Sequence, residues 1–390
     1  MMRIANARFI RALLLAAPLL LAACGGTSDG NGGGSPALAP LPGGGTPPNN
    51  TSPPPVVLTH FFAYAANSNS DDISGYSIDT VTGVLTSIGS IVAGGANPVS
   101  VAVHPGGAFV YVANADANTV SAFSIDAATG LLTFGTNILA GIKPVSVTVD
   151  PAGKFAYVAN FISNDVSTFS IDGATGVLTL VGTILTGGTG PSFVTVDPAS
   201  QFAYVTNETS NTISAFAIDP TTGALTSAGG PVPTDAGPKS VTIHPSANFA
   251  YVVNADSNTV SAFTIDTVTG LLTPGAPILA GTRPVSITIH PAGKFAYVAN
   301  FTSHDISIYS IDATTGVLTL VGVALSGNLG PSSITVDPNG KFLYLANQAS
   351  NTISAFTIDP SNGALTSAGP DVLTGAAPAA IVTAITHSIQ

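Results

Sequence analysis

Glu208 and His304 are the side chains in this sequence best suited to take a proton from water, since a positioned carboxylate or imidazole can act as a general base. Arg283, Lys143 and Lys239 could hold an anion beside them, or face an oxygen that gains charge in a transition state. Such a set describes water-dependent cleavage of an ester-type carbonyl, with Arg283, Glu208 and His304 as candidate catalytic residues and Lys143 and Lys239 as candidate ligand-binding groups. The stock they come from is small. Of 390 residues only 7% are charged, Glu208 is the sole glutamate, and Arg283 is the sole arginine after position 11.

Other chemistries find less support. Asp116-Ala-Asn118 and Asp256-Ser-Asn258 carry oxygen ligands at alternate positions but lack the remaining ligands of a calcium loop, so a loop hydrogen bond is the simpler reading. There is no Cys/His cluster for zinc, no Gly-Xaa-Ser-Xaa-Gly elbow and no phosphate loop leading into a helix; neither a metal nor a cofactor is expected. Beyond the first eleven positions, six cations face 20 acidic residues, a net charge of −14. Cations so few and so scattered form no stripe along a phosphate backbone, and nucleic acid is not an expected partner.

The elements that would position these residues come from a repeat. A strand-like FAYAAN ends at Asn67, and YVAN or a variant ends at Asn114, Asn160, Asn207, Asn254, Asn300 and Asn347, with spacings of 47, 46, 47, 47, 46 and 47. A fixed period of this size with short strands signals a propeller or solenoid. One unit, Pro144 to Gly182, holds four apolar runs, VSVTV, KFAYVA, VSTFSI and VLTLV, each bounded by turn residues. Each third run ends in Asp with Gly four residues later, from Asp79/Gly83 to Asp359/Gly363; Asp bonds its own backbone and Gly supplies the positive φ of the hairpin. His-Pro or Asp-Pro at His104, Asp150, Asp197, His244, His290 and Asp337 marks the turn between first and second strands.

The ends complement each other. The first unit starts at its second strand, Phe61 to Asn67, and the tail Pro378 to Thr386 aligns with the innermost strand it lacks. The expected fold is all-β: a seven-bladed β-propeller of four-stranded blades, its ring closed by the C-terminal strand. A monomeric domain is expected over residues 58–390.

A second period of 140 is superimposed, so blades two to four resemble a tandem copy of blades five to seven. Lys143 and Arg283, Asp116 and Asp256, and Asp165 and Asp305 are related by it, whereas Glu208, Lys239 and His304 break it. A single active site should break the symmetry, but drift on solvent-exposed loops would do the same.

The N-terminus reads as a processing signal: Arg3, Arg8 and Arg11 precede an apolar run, Ala12 to Ala23, too short to span a bilayer. Leu21-Ala22-Ala23-Cys24 resembles a bacterial lipobox, which implies cleavage after residue 23 and a lipid on Cys24, the only cysteine. The membrane is then a partner through that lipid, and Gly25 after the cysteine points to the outer membrane if the source is Gram-negative. Residues 24–57 are rich in Gly, Pro, Ser, Thr and Asn and read as a tether.

The YVAN/YVTN strand followed by SNTVSAF-Xaa-Ile-Asp resembles the YVTN-type, lactonase-like β-propeller family, over residues 58 to 387. The resemblance implies seven blades and a site at the mouth of the central channel. The family's named enzymes include 6-phosphogluconolactonases, so lactone hydrolysis is the activity the resemblance offers, although membership does not by itself imply catalysis. That family includes envelope proteins without assigned chemistry, and its enzymes lean on Arg, His and Glu, which are scarce here. An envelope propeller that binds a protein or glycan, a lactone hydrolase, and a structural spacer therefore all stand as readings of the sequence.

Overall fold

A computed structural model describes residues 56–389. The expected leader and Cys24, and the tether as far as Pro55, lie outside the described residues. Val57, expected at the tether's end, already belongs to the first strand, Val57–Asn67.

The Asn-ended strands of blades two to seven, such as Phe155–Asn160, are buried at all six positions, as are the last six of Val57–Asn67. Both faces of the strand are covered by neighbouring blades, which is why these runs are almost continuously apolar instead of alternating. Seven sheets result, each with four strands in sequence order outward from the axis, apart from the first. In that blade the order from the rim is Leu85–Val92, Asp72–Ile78, Val57–Asn67 and finally the tail strand Pro378–Ile389. The tail pairs antiparallel with Val57–Asn67 from Val57↔Ile389 to Asn67↔Pro378. Closure is longer than the sequence pattern indicates, because both strands run past the repeat, to Val57 at one end and Ile389 at the other.

Blades are joined by a recurrent pair of contacts. Tyr111 in blade two is fully buried, and its hydroxyl donates to the Gly176 carbonyl of blade three at 3.1 Å. Gly176 has φ +72°, and a Cβ there would overlap the ring of Phe109 from the preceding blade. This turn glycine is therefore required twice, for its backbone and for the space it leaves. Asp172 holds the same turn by accepting from the amides of Ala174 and Thr175 at 3.0 and 2.9 Å.

The His-Pro and Asp-Pro turns also bond. His104, His244 and His290 reach the Gly153, Gly293 and Gly340 carbonyls of the next blade through Nε2, at 2.9 to 3.0 Å. Asp150 accepts from its own turn amides, Lys154 and Phe155, at 2.7 Å.

The fourth strand is unbroken in blades one, two, three and six but split in blades four, five and seven, for example into Leu225–Ser227 and Val232–Pro233. The breaks fall at Gly229-Gly230-Pro231, at Pro274 to Pro277 and at Gly369-Pro370, where proline donates no ladder bond. At the axis, serines bind one inner strand to the next: Ser100 accepts from the Val147 amide at 3.1 Å and Ser146 from that of Val194 at 3.2 Å.

Candidate functional site at the channel mouth

Two sets of loops meet at one end of the channel. The residue after each strand-ending Asn donates its amide to the carbonyl of the residue before the inner-strand Pro: Phe161 to Lys143, Glu208 to Gly190 and Phe301 to Arg283, each at 2.8 Å. The bond holds the residue that follows the Asn at the rim of the mouth. Across the seven blades that residue is Ser68, Ala115, Phe161, Glu208, Ala255, Phe301 or Gln348. Lys239 reaches the mouth differently. It is the second residue of the inner strand Pro238–Ile243, not a loop residue, and its counterparts are Val99, Val145, Ser192, Val285, Ser332 and Ala379.

Phe161 and Glu208, Lys143 and the second and third residues of the inner strands line a cavity of about 440 Å³, in which Lys143, Glu208 and Lys239 are the only titratable lining groups. Lys239 Nζ donates to Glu208 Oε1 at 2.5 Å, joining blade five to blade four. The two side chains are 29% and 27% exposed, so the pair is open to solvent and contributes at most about 1 kcal/mol to stability. One ammonium donor of three is used by Glu208. Lys143, in the left-handed region at φ 59°, carries its Nζ 5.2 Å from the centroid of Phe161. A cation over an aromatic face is held electrostatically by the ring quadrupole.

The other two candidates lie elsewhere. Arg283 repeats the Lys143 arrangement in blade six, 5.0 Å from the Phe301 centroid, but it is exposed and does not line the cavity. His304, at φ 57°, accepts the Gly330 amide on Nδ1 at 3.1 Å, which leaves the ring proton on Nε2. Asn118, Asn164, Asn211, Asn258 and Asn351 make the same bond in other blades, and Asp71 makes it in the first. His304 thus sits in a structural turn position that asparagine fills elsewhere, since both side chains tolerate the left-handed conformation.

The Asp116 and Asp256 loops follow the same logic: Asn118 and Asn258 accept the amides of Lys143 and Arg283 at 2.7 Å. Among the described residues no three His, Cys, Asp or Glu side chains converge as metal ligands.

Phe161 and Ser192 line the cavity and were not singled out by sequence reasoning. The signal for Phe161 was present: it occupies the position after YVAN, where blades two and five have alanine. Phe161 and its counterpart Phe301 are the two aromatic residues at a position that is otherwise small or polar.

A seven-bladed all-β ring with a polar, asymmetric channel mouth defines the class of protein. The chain belongs to the lactonase family of seven-bladed β-propellers, whose family model matches residues 56–149, 140–236 and 227–382. No curated protein matches it in sequence. Among solved structures it is similar to a candidate 6-phosphogluconolactonase of Bacteroides fragilis at 25% identity and a TM-score of 0.75, over 83% of this chain and 98% of that one. A candidate 6-phosphogluconolactonase of Bacteroides uniformis matches at 22% identity and a TM-score of 0.76, over 83% and 99% of the two chains. The periplasmic gluconolactonase of Pseudomonas aeruginosa matches at 18% identity and 0.73, over 84% and 99%. The last two likenesses speak to fold alone.

Proposed function

We propose that this chain is a lipid-anchored propeller of the cell envelope that acts by binding, with the channel mouth as its ligand site. The observation that carries the reading is the Lys239–Glu208 pair beside Lys143, the one charged cluster in a cavity otherwise lined by small and apolar groups. It lies where the 140-residue repeat is broken, since Glu208 corresponds to Gln348 and Lys239 to Ala379. Two ammonium groups against one carboxylate make the mouth locally positive on an acidic body, which favours an anionic group presented by a protein or glycan partner. Anchoring rests on the Leu21-Ala22-Ala23-Cys24 pattern, and the outer membrane on Gly25.

Binding is preferred to turnover because His304 already accepts the Gly330 amide on Nδ1, and the sole carboxylate lining the cavity is oriented by Lys239 through Oε1, which leaves Oε2 as its oxygen without a protein partner. A general base needs a free lone pair aimed at water. Lactone hydrolysis is the second reading, supported by family membership and by a carboxylate and an ammonium sharing one cavity.

The deciding experiment is turnover of a panel of sugar and acyl lactones by the purified protein, with Glu208→Ala and Arg283→Ala variants. Hydrolysis lost in Glu208→Ala and kept in Arg283→Ala would establish the hydrolase at this cavity. No hydrolysis of any lactone, with the lactones or their acids still bound, is the outcome expected of a binding propeller.

A further inference from the structure

We infer that the ligand of the channel mouth is an amphiphilic anion: a carboxylate-type head held by Lys239 and Lys143, bearing an acyl chain that lies on the rim residues Ile142 and Ile162. This inference rests on the anion-binding channel mouth proposed above and narrows what carries the anion from a protein or glycan in general to a carrier that bears an acyl chain.

The apolar half of the argument starts from exposure. Ile142 and Ile162 are 53% and 56% exposed, and each is next in sequence to a residue that lines the cavity, Lys143 and Phe161. The Ile162 amide donates to the Ile142 carbonyl at 3.1 Å, so the two are tied together at the rim. Scattered exposed apolar residues need no explanation, but two that are bonded to each other through the backbone, each one residue from a group that lines the cavity, put apolar surface at its edge.

The repeat supplies an internal control. One hundred and forty residues on, Thr282 and Thr302 occupy the same positions, joined by the same amide-to-carbonyl bond at 3.1 Å and flanked by the equivalent stacked pair Arg283 and Phe301. The backbone is therefore satisfied by threonine, and isoleucine is not a requirement of the fold. Isoleucine occurs at the copy that borders the ion pair, and threonine at the copy that faces Gln348 and Ala379.

The polar half follows from charge. Glu208 uses one of the three donors of Lys239, leaving the ammonium able to bind a second oxygen anion in the cavity. A head group there has Phe161 beside it and the isoleucine pair at the rim, so a chain attached to that head leaves water along an apolar path. Gluconate-like polyols carry the same charge but would set hydroxyls against that path, at a desolvation cost.

Calorimetric titration of the purified protein with octanoate and with gluconate, two monoanions of similar reach, separates the possibilities. We expect octanoate to bind about tenfold or more tightly than gluconate, from the area an eight-carbon chain would bury. Ile142→Thr/Ile162→Thr, which installs the residues of the other copy, should remove that preference while leaving the melting temperature unchanged. Lys239→Ala should weaken both ligands. Equal binding of the two anions, or a preference unaltered by the double threonine variant, would overturn the amphiphile inference and leave the binding reading standing. Heats of binding absent for both anions would overturn the amphiphile inference together with the anion site at the channel mouth on which it rests.

Discussion

The hydroxyl of Tyr344 in the last blade donates to the carbonyl of Gly83 in the first at 3.1 Å, across 261 residues of sequence. The same bond joins every other pair of adjacent blades, from Tyr64–Gly130 to Tyr297–Gly363, so the seam is built like each internal boundary. What distinguishes the seam is that its blade also depends on the tail strand, Pro378–Ile389.

Tyr344→Phe should cost about 1 kcal/mol, the ordinary net value of one buried hydrogen bond, and Tyr204→Phe at an internal boundary should cost about the same. Deleting residues 378–390 removes the inner strand of blade one and should abolish the cooperative unfolding transition. Circular dichroism melts of the three variants check this. An unchanged transition in the truncated chain would show that closure contributes little.

Acid and alkali should each destabilise the domain through identifiable groups. Asp79, Asp172, Asp219, Asp266 and Asp312 lie below their ordinary value of 3.8 chiefly because backbone amides donate to them, and Asp126 and Asp359 chiefly because a neighbouring hydroxyl does. A depressed folded value stabilises above the unfolded one and is lost as pH falls through the folded one. The buried tyrosines behave oppositely: burial raises the seven Tyr of the blade boundaries above 10.0 and pushes Tyr309 up to about 12. Their contribution is present below pH 10 and is lost as pH rises through the folded values. Melting temperature should thus hold level between these limits and drop below about pH 4 and above about pH 10. A steady decline beginning near neutrality would count against this assignment.

His304→Asn should leave stability and any lactone turnover intact, because asparagine makes the same turn bond in five other blades. His304→Ala should cost about 1 kcal/mol by leaving the Gly330 amide without its acceptor. Paired measurement of melting and turnover distinguishes the roles: loss of turnover in His304→Asn with an unaltered melt would make the imidazole catalytic.

Cys24→Ser should release the protein from the membrane fraction, if the lipid on that cysteine is its anchor. Fractionation of cells expressing each form reads the outcome directly. Retention of the serine variant would refute the lipoprotein proposal.

The order of the strands and the turns were legible in the sequence, because each is a local pattern copied seven times, and the closing of the ring because the tail matches the strand the first unit lacks. The Tyr of YVAN, the Phe two residues before it and the Asp–Gly turn recur at fixed offsets, so a unit's fold could be read from any one copy. The site was legible only in part. Glu208 and Lys239 stood out as departures from the repeat, but nothing in a 31-residue separation says that their side chains meet. That is decided by the angle between two neighbouring blades and by the inner-strand position of Lys239, which faces it into the channel. Arg283 and Lys143 look equivalent in sequence, yet only Lys143 lines the cavity. His304 looked like a base because its type is rare, and the turn around it uses it as an acceptor. Strand pattern is set by each residue's own neighbours, whereas a cavity is set by which side chains from different blades reach the same point, and only the closed ring fixes that.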